Sequence, residues 1–96
     1  MTKREVALIR VASVWSLVEL TEHAAIEADD EMIPHSAVWG VIERARAKTK
    51  DLGQTGDRAV GVNFEGTIPD HRRIRTKVSW DDGYFIATVH TINMVR

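Results

Sequence analysis

Arg73-Ile74-Arg75-Thr76-Lys77-Val78-Ser79-Trp80-Asp81-Asp82-Gly83-Tyr84-Phe85 is the stretch that decides the fold. Ile74, Thr76, Val78 and Trp80 alternate with Arg73, Arg75, Lys77 and Ser79, the two-residue period of a half-buried strand. Asp81-Asp82-Gly83 then supplies a hairpin turn, and Tyr84 to Val95 returns as a second strand. A two-residue turn at Asp82-Gly83 pairs Trp80 with Phe85 and Val78 with Ala87. A three-residue loop pairs Trp80 with Tyr84 and turns the other face of the returning strand inward. On the N-terminal side, Val60, Val62 and Phe64 alternate with Gly61, Asn63 and Glu65. Gly66 to Asp70 closes that strand with a turn. Residues 57–95 therefore read as a three-stranded antiparallel meander.

Upstream of Gly53 the period changes to helical. Leu8, Val11, Trp15 and Val18 recur at helical spacing, widened by Ala7, Val14 and Leu17. Thr2 and Glu5 have capping-box spacing. Arg10, Ser13, Ser16 and Glu19 leave a narrow polar edge. Val6, Ile9, Val11, Val14 and Val18 are β-branched and favour strand, but alternation fails at Val14-Trp15 and Leu17-Val18. One helix over about residues 3–28 is the expectation. Pro34 suits the first turn of a second helix, Val38, Val41, Ile42 and Ala45 continue it, and Gly53 caps it. Gly40 within it suggests a close helix crossing. The expected fold is α+β, in the order ααβββ. A single domain, residues 1–96, has an N-terminal antiparallel helical hairpin (about 3–52) packed on a three-stranded antiparallel meander (about 57–95).

Composition narrows the function classes. With 44% hydrophobic and 28% charged residues, the 96-residue chain is too balanced for global disorder. The absence of cysteine excludes disulfides, thiolate metal sites and a cysteine nucleophile. No apolar run reaches the length of a membrane span, and a cytoplasmic protein is expected. Glu19, His23 and Glu27 lie four residues apart and would form a carboxylate–imidazole–carboxylate row on one helix, but the spacing matches no recognised metal set. The serines sit in no nucleophile elbow. Gly53-Gln54-Thr55-Gly56 has a G-x-x-G form but contains no lysine or arginine. Neither catalytic residues, a metal nor a cofactor is expected.

Charge is more informative. The net charge of −1 conceals two halves. Residues 1–40 hold three cations against seven acids; residues 41–96 hold ten against seven. Glu27, Asp29, Asp30 and Glu31 crowd the end of the first helix, more acid than dipole compensation requires. Arg73, Arg75 and Lys77 put cations on the strand face opposite Ile74 and Val78, and Arg72 precedes them in the same basic segment. That basic strand could face phosphates of DNA or RNA, or an acidic partner. The first helix is apolar around most of its circumference, so a second copy is expected to cover part of it. Val11, Trp15, Val18 and Trp39 are the candidate homodimer anchors. The expected function is a small non-catalytic protein-binding modulator or inhibitor acting through its charged surface. Phage and mobile-element accessory proteins that block a host defence complex share this size class. The alternative is a nucleic-acid binder using Arg73, Arg75 and Lys77.

Overall fold

The computed structural model describes residues 3–44, 47–52 and 60–95, with side chains over 3–44 and 61–95. The described elements run α1 (Lys3–Val14), β1 (Val18–Leu20), α2 (Glu22–Asp30), α3 (His35–Arg44), β2 (Ala47–Leu52), β3 (Val60–Thr67), β4 (Arg73–Asp81) and β5 (Ile86–Met94). The class is α+β as expected. The meander is present as β3, β4 and β5, antiparallel throughout. It is the centre of a mixed sheet of order β1-β5-β4-β3-β2, in which β1 runs parallel to β5.

The helical hairpin is not what the chain forms. The expected first helix ends at Val14 and divides into α1, β1 and α2. The cause is local. Leu17 N–H donates to the Ala12 carbonyl and Ser16 N–H to the Ser13 carbonyl, while Ser16 takes φ 59°. These are the paired bonds of a Schellman stop, with the left-handed position usually given to glycine held here by serine. Helix α2 ends the same way. Ile33 N–H donates to the Ala28 carbonyl and Met32 N–H to the Asp29 carbonyl, with Met32 at φ 51°. Its start is capped by Thr21, whose Oγ1 accepts from Ala24 N–H at 3.1 Å.

The second helix is shorter than expected too. Residues 47–52, including Lys48 and Lys50, form β2 along β3 rather than a helical C-terminus. The Thr2 cap and the Gly53 to Gly56 link lie outside the described residues. Gly40 does not serve a close helix crossing: the space a Cβ would take there belongs to the guanidinium of Arg44, one turn on.

All three helices contribute to one core with the sheet face carrying Val62, Phe64, Ile74, Val78, Ala87, Val89 and Ile92. Ile9 and Ala12 of α1, Ala24 and Ala28 of α2, and Val38 and Ile42 of α3 close over it. The expected polar edge of α1 is dispersed. Arg10 lies 5.7 Å from the Phe64 ring centroid, Ser13 is buried, Ser16 makes the turn and Glu19 is on β1.

Between β4 and β5 neither expected register forms. Trp80 pairs with Ala87 and Asp81 with Ile86, leaving Asp82 to Phe85 as a four-residue turn. Asp81 Oδ1 sets that length by accepting from the N–H groups of both Gly83 (2.9 Å) and Tyr84 (3.1 Å). The slip from the two-residue reading is by two, so the same face of β5 points inward. Beyond a bulge between Lys77 and Val78 the pairing shifts, and Thr76 meets Ile92.

Candidate functional site

The acidic residues occupy the last turn of α2 and the loop after it. Glu27 is the anchor: its Oε1 accepts the Ile92 N–H at 3.0 Å and lies 3.4 Å from His23 Nε2. It ties α2 to β5 and is half-buried. Asp29, Asp30 and Glu31 are exposed. Asp29 lies 3.9 Å from His35 at the start of α3, and Asp30 has no ion-pair partner among the described residues. Glu27, Asp30 and Glu31 border an open cleft of about 300 Å³, closed on its other side by Ile92, Asn93 and Met94. The expected acidic tip therefore assembles as an acidic end, with one carboxylate structural and three presented to solvent.

Arg72 fixes that end in place. Its guanidinium donates to the Glu31 carbonyl and, at 3.0 Å, to the Met32 carbonyl, the groups α2 leaves unpaired at its terminus. It also grips Asp70, with Nε at 2.8 Å and Nη2 at 2.7 Å. Those hydrogen bonds hold the Asp70 carboxyl below its ordinary range. Arg72 was expected among phosphate-facing cations, but here it is a clamp between the β3–β4 turn and the acidic end.

The remaining basic-strand residues are also engaged. Arg73 Nε lies 3.2 Å and Arg75 Nη2 3.6 Å from the carboxylate of Glu65, their neighbour on β3. Lys77 is only 1% exposed. Strict alternation puts it on the solvent side, but its stem packs against Gly61, whose missing Cβ leaves the room. The cation row thus dissolves into a helix clamp, a shared carboxylate and a buried lysine.

The metal row does not assemble. Glu19 lies on β1 while His23 and Glu27 lie on α2, and no described cluster of histidine and carboxylates could hold an ion. A serine and a histidine do meet, across β4 and β5: Ser79 Oγ is 2.6 Å from His90 Nε2. His90 is the extra residue of the β5 bulge, and this bond seats its ring.

Of the dimer anchors, Val11 and Trp15 are exposed, whereas Val18 and Trp39 pack against the core and Trp39 stacks edge-on with His35. Val14, Leu17, Tyr84 and Phe85 are also exposed and were not expected as anchors. Helical spacing places Val14 and Leu17 in the apolar stripe of one long helix, and the hairpin pattern places Tyr84 and Phe85 in a strand. The Asp81 side chain, with its known habit of bonding the backbone two residues on, was the available signal that both aromatics belong to a turn.

No described helix is long and apolar enough to cross a membrane. Comparison with known protein families, curated proteins and solved structures finds no match.

Proposed function

We propose that this chain is a non-catalytic protein-binding modulator whose acidic end occupies a basic groove on another protein. The observation that carries the reading is the contrast between the two charged surfaces. Arg72 is taken up as a clamp and Lys77 is buried, and Arg73 and Arg75, though exposed, are partly balanced by Glu65, whereas Asp29, Asp30 and Glu31 stand exposed on a clamped helix end beside a cleft. A helix end whose backbone is held in place needs little rearrangement on docking, and like charge in one place raises the association rate with a cationic surface. An inhibitor that blocks a host defence complex, the role common among small phage and mobile-element chains, is the specific form of this reading. It resembles phosphate mimicry: spaced carboxylates compete for arginines and lysines that otherwise hold nucleic acid.

The test is charge reversal at Asp29, Asp30 and Glu31 together. Affinity capture from host lysate with mass spectrometry identifies proteins retained by the parent chain and released as salt rises. The reversed chain is expected to retain none of them. Equal capture by both chains overturns the reading.

A further inference from the structure

At the opposite end of β5 from the acidic cleft lies an apolar face. The parallel pairing of β1 with β5 creates it: Ala87 N–H donates to the Leu17 carbonyl at 3.0 Å, which sets the α1–β1 turn beside the β4–β5 turn. Val11 and Val14 lie on α1, Trp15 and Leu17 lie in the turn that follows it, and Tyr84 and Phe85 lie in the neighbouring hairpin turn. Trp15 is 72% exposed, Val14 68%, Tyr84 86% and Phe85 46%. Taking full aromatic areas of 150–250 Å², the three rings alone offer about 400 Å². With the three aliphatic side chains the face exceeds the patch of roughly 300–600 Å² that a typical monomer exposes.

The face is held firmly. The Schellman stop locks Trp15 and Leu17, and the Phe85 ring stands edge-on to Trp80 at 4.8 Å. Both turns carry a non-glycine residue in the left-handed region, Ser16 at φ 59° and Phe85 at φ 53°. Such strain persists where the surroundings impose it.

We infer that the occupant of this face is a second copy of this chain. Two such faces pressed together bury roughly 1,200 Å² or more, within the range of specific stable interfaces. Charge points the same way. The ion pair at its margin, Arg4 with Asp82 at 3.2 Å, is internally neutral, and Asp82 also accepts from the Trp80 indole at 3.0 Å. A face rich in aromatics and poor in unpaired charge is the composition of a homodimer core, and a two-fold axis lets it serve as its own complement. Trp15 is the anchor. The acidic ends point away from the axis, so like charges stay apart. Where the acidic end binds a partner, as proposed above, the dimer presents two such ends roughly 50 Å apart, at about 3.3 Å per strand residue.

Sedimentation velocity between about 1 and 200 μM is the test. The parent chain is expected to run at twice 10.8 kDa, and Trp15→Lys at the single mass. Loss of a central aromatic anchor raises the dimer dissociation constant at least about thirtyfold. Tyr84→Lys, on the other turn, weakens the dimer independently and guards against a folding defect at position 15. Far-ultraviolet circular dichroism checks that both variants keep the parent fold. A parent chain that stays monomeric throughout, or a dimer that both variants leave intact, overturns the inference. The Asp29, Asp30 and Glu31 reversal is expected to remain dimeric while losing its captured protein. A monomer that still captures through the acidic end removes the dimer and leaves the binding reading standing.

Discussion

Replacing Met32 by glycine tests the account of how the first fifty residues fold. Met32 sits at φ 51° in the Schellman stop of α2 and is 82% exposed. A side chain in the left-handed region costs about 1–2 kcal/mol. Glycine removes that cost but gives back about 0.4–1 kcal/mol through the greater freedom of the unfolded chain. Full burial of a methionine is worth about 1.5–3 kcal/mol, so the small covered fraction here contributes about 0.4 kcal/mol. Glycine is therefore expected to be neutral to about 0.5 kcal/mol stabilising. Met32→Ala keeps the strain and loses the contact, so it falls below the parent by about 0.4 kcal/mol. The difference between the two variants, up to about 1 kcal/mol, corresponds to several degrees in melting temperature for a chain this size. Inside a helix glycine is the worse residue by about the same amount. The sign of the difference is thus diagnostic. Thermal and urea unfolding followed by circular dichroism read it directly, and an alanine variant as stable as the glycine variant, or more so, would refute the reasoning. The Arg72 contact is to the Met32 backbone carbonyl and survives both changes.

Other consequences concern the sheet and the clamp. A Cβ at Gly61 would stand 2.7 Å from the Val78 carbonyl and 3.3 Å from Lys77 Cγ, so Gly61→Ala is expected to cost about 1–3 kcal/mol, measured by urea unfolding. The Asp70 carboxyl, lowered first by its side-chain hydrogen bond with Arg72, adds stability above its ordinary value of 3.8. That contribution fades as pH falls through the lowered value. Asp70→Asn is therefore expected to flatten the melting temperature against pH below about pH 4 relative to the parent, and an unchanged profile would remove the clamp from the acid response.

The meander was legible because its signals are strong and local. The apolar positions that alternation picks out survive in the core, where Val62, Phe64, Ile74 and Val78 are buried, although Lys77 between them is buried too. The helix boundaries were not legible because the two stop positions hold Ser16 and Met32, neither of which announces a left-handed turn. With no glycine to mark it, the apolar run from Val6 to Leu20 reads as continuous, although it contains a helix end and a strand. Strand β1 is three residues long and takes its identity from β5, more than sixty residues away in the pairing Val18 with Ala87. The acidic end was legible as composition, since four acids in five positions need no fold to be noticed. The fate of the basic strand was not: Arg72 turns back to α2, and Lys77 is buried beside a glycine on another strand.

The pairing of β1 with β5 also dictates an order of events during synthesis. Thr21 donates its hydroxyl to the His90 carbonyl and Glu27 accepts from the Ile92 N–H, so α2, like β1, is tied to β5. On the ribosome these early segments have nothing to close against until β5 emerges. Until then Ala24 and Ala28 of α2 lack the strand they pack against, and contacts so distant in sequence close slowly. The nascent chain therefore passes through an adhesive interval between the synthesis of β1 and that of β5, in which chaperones have their best access.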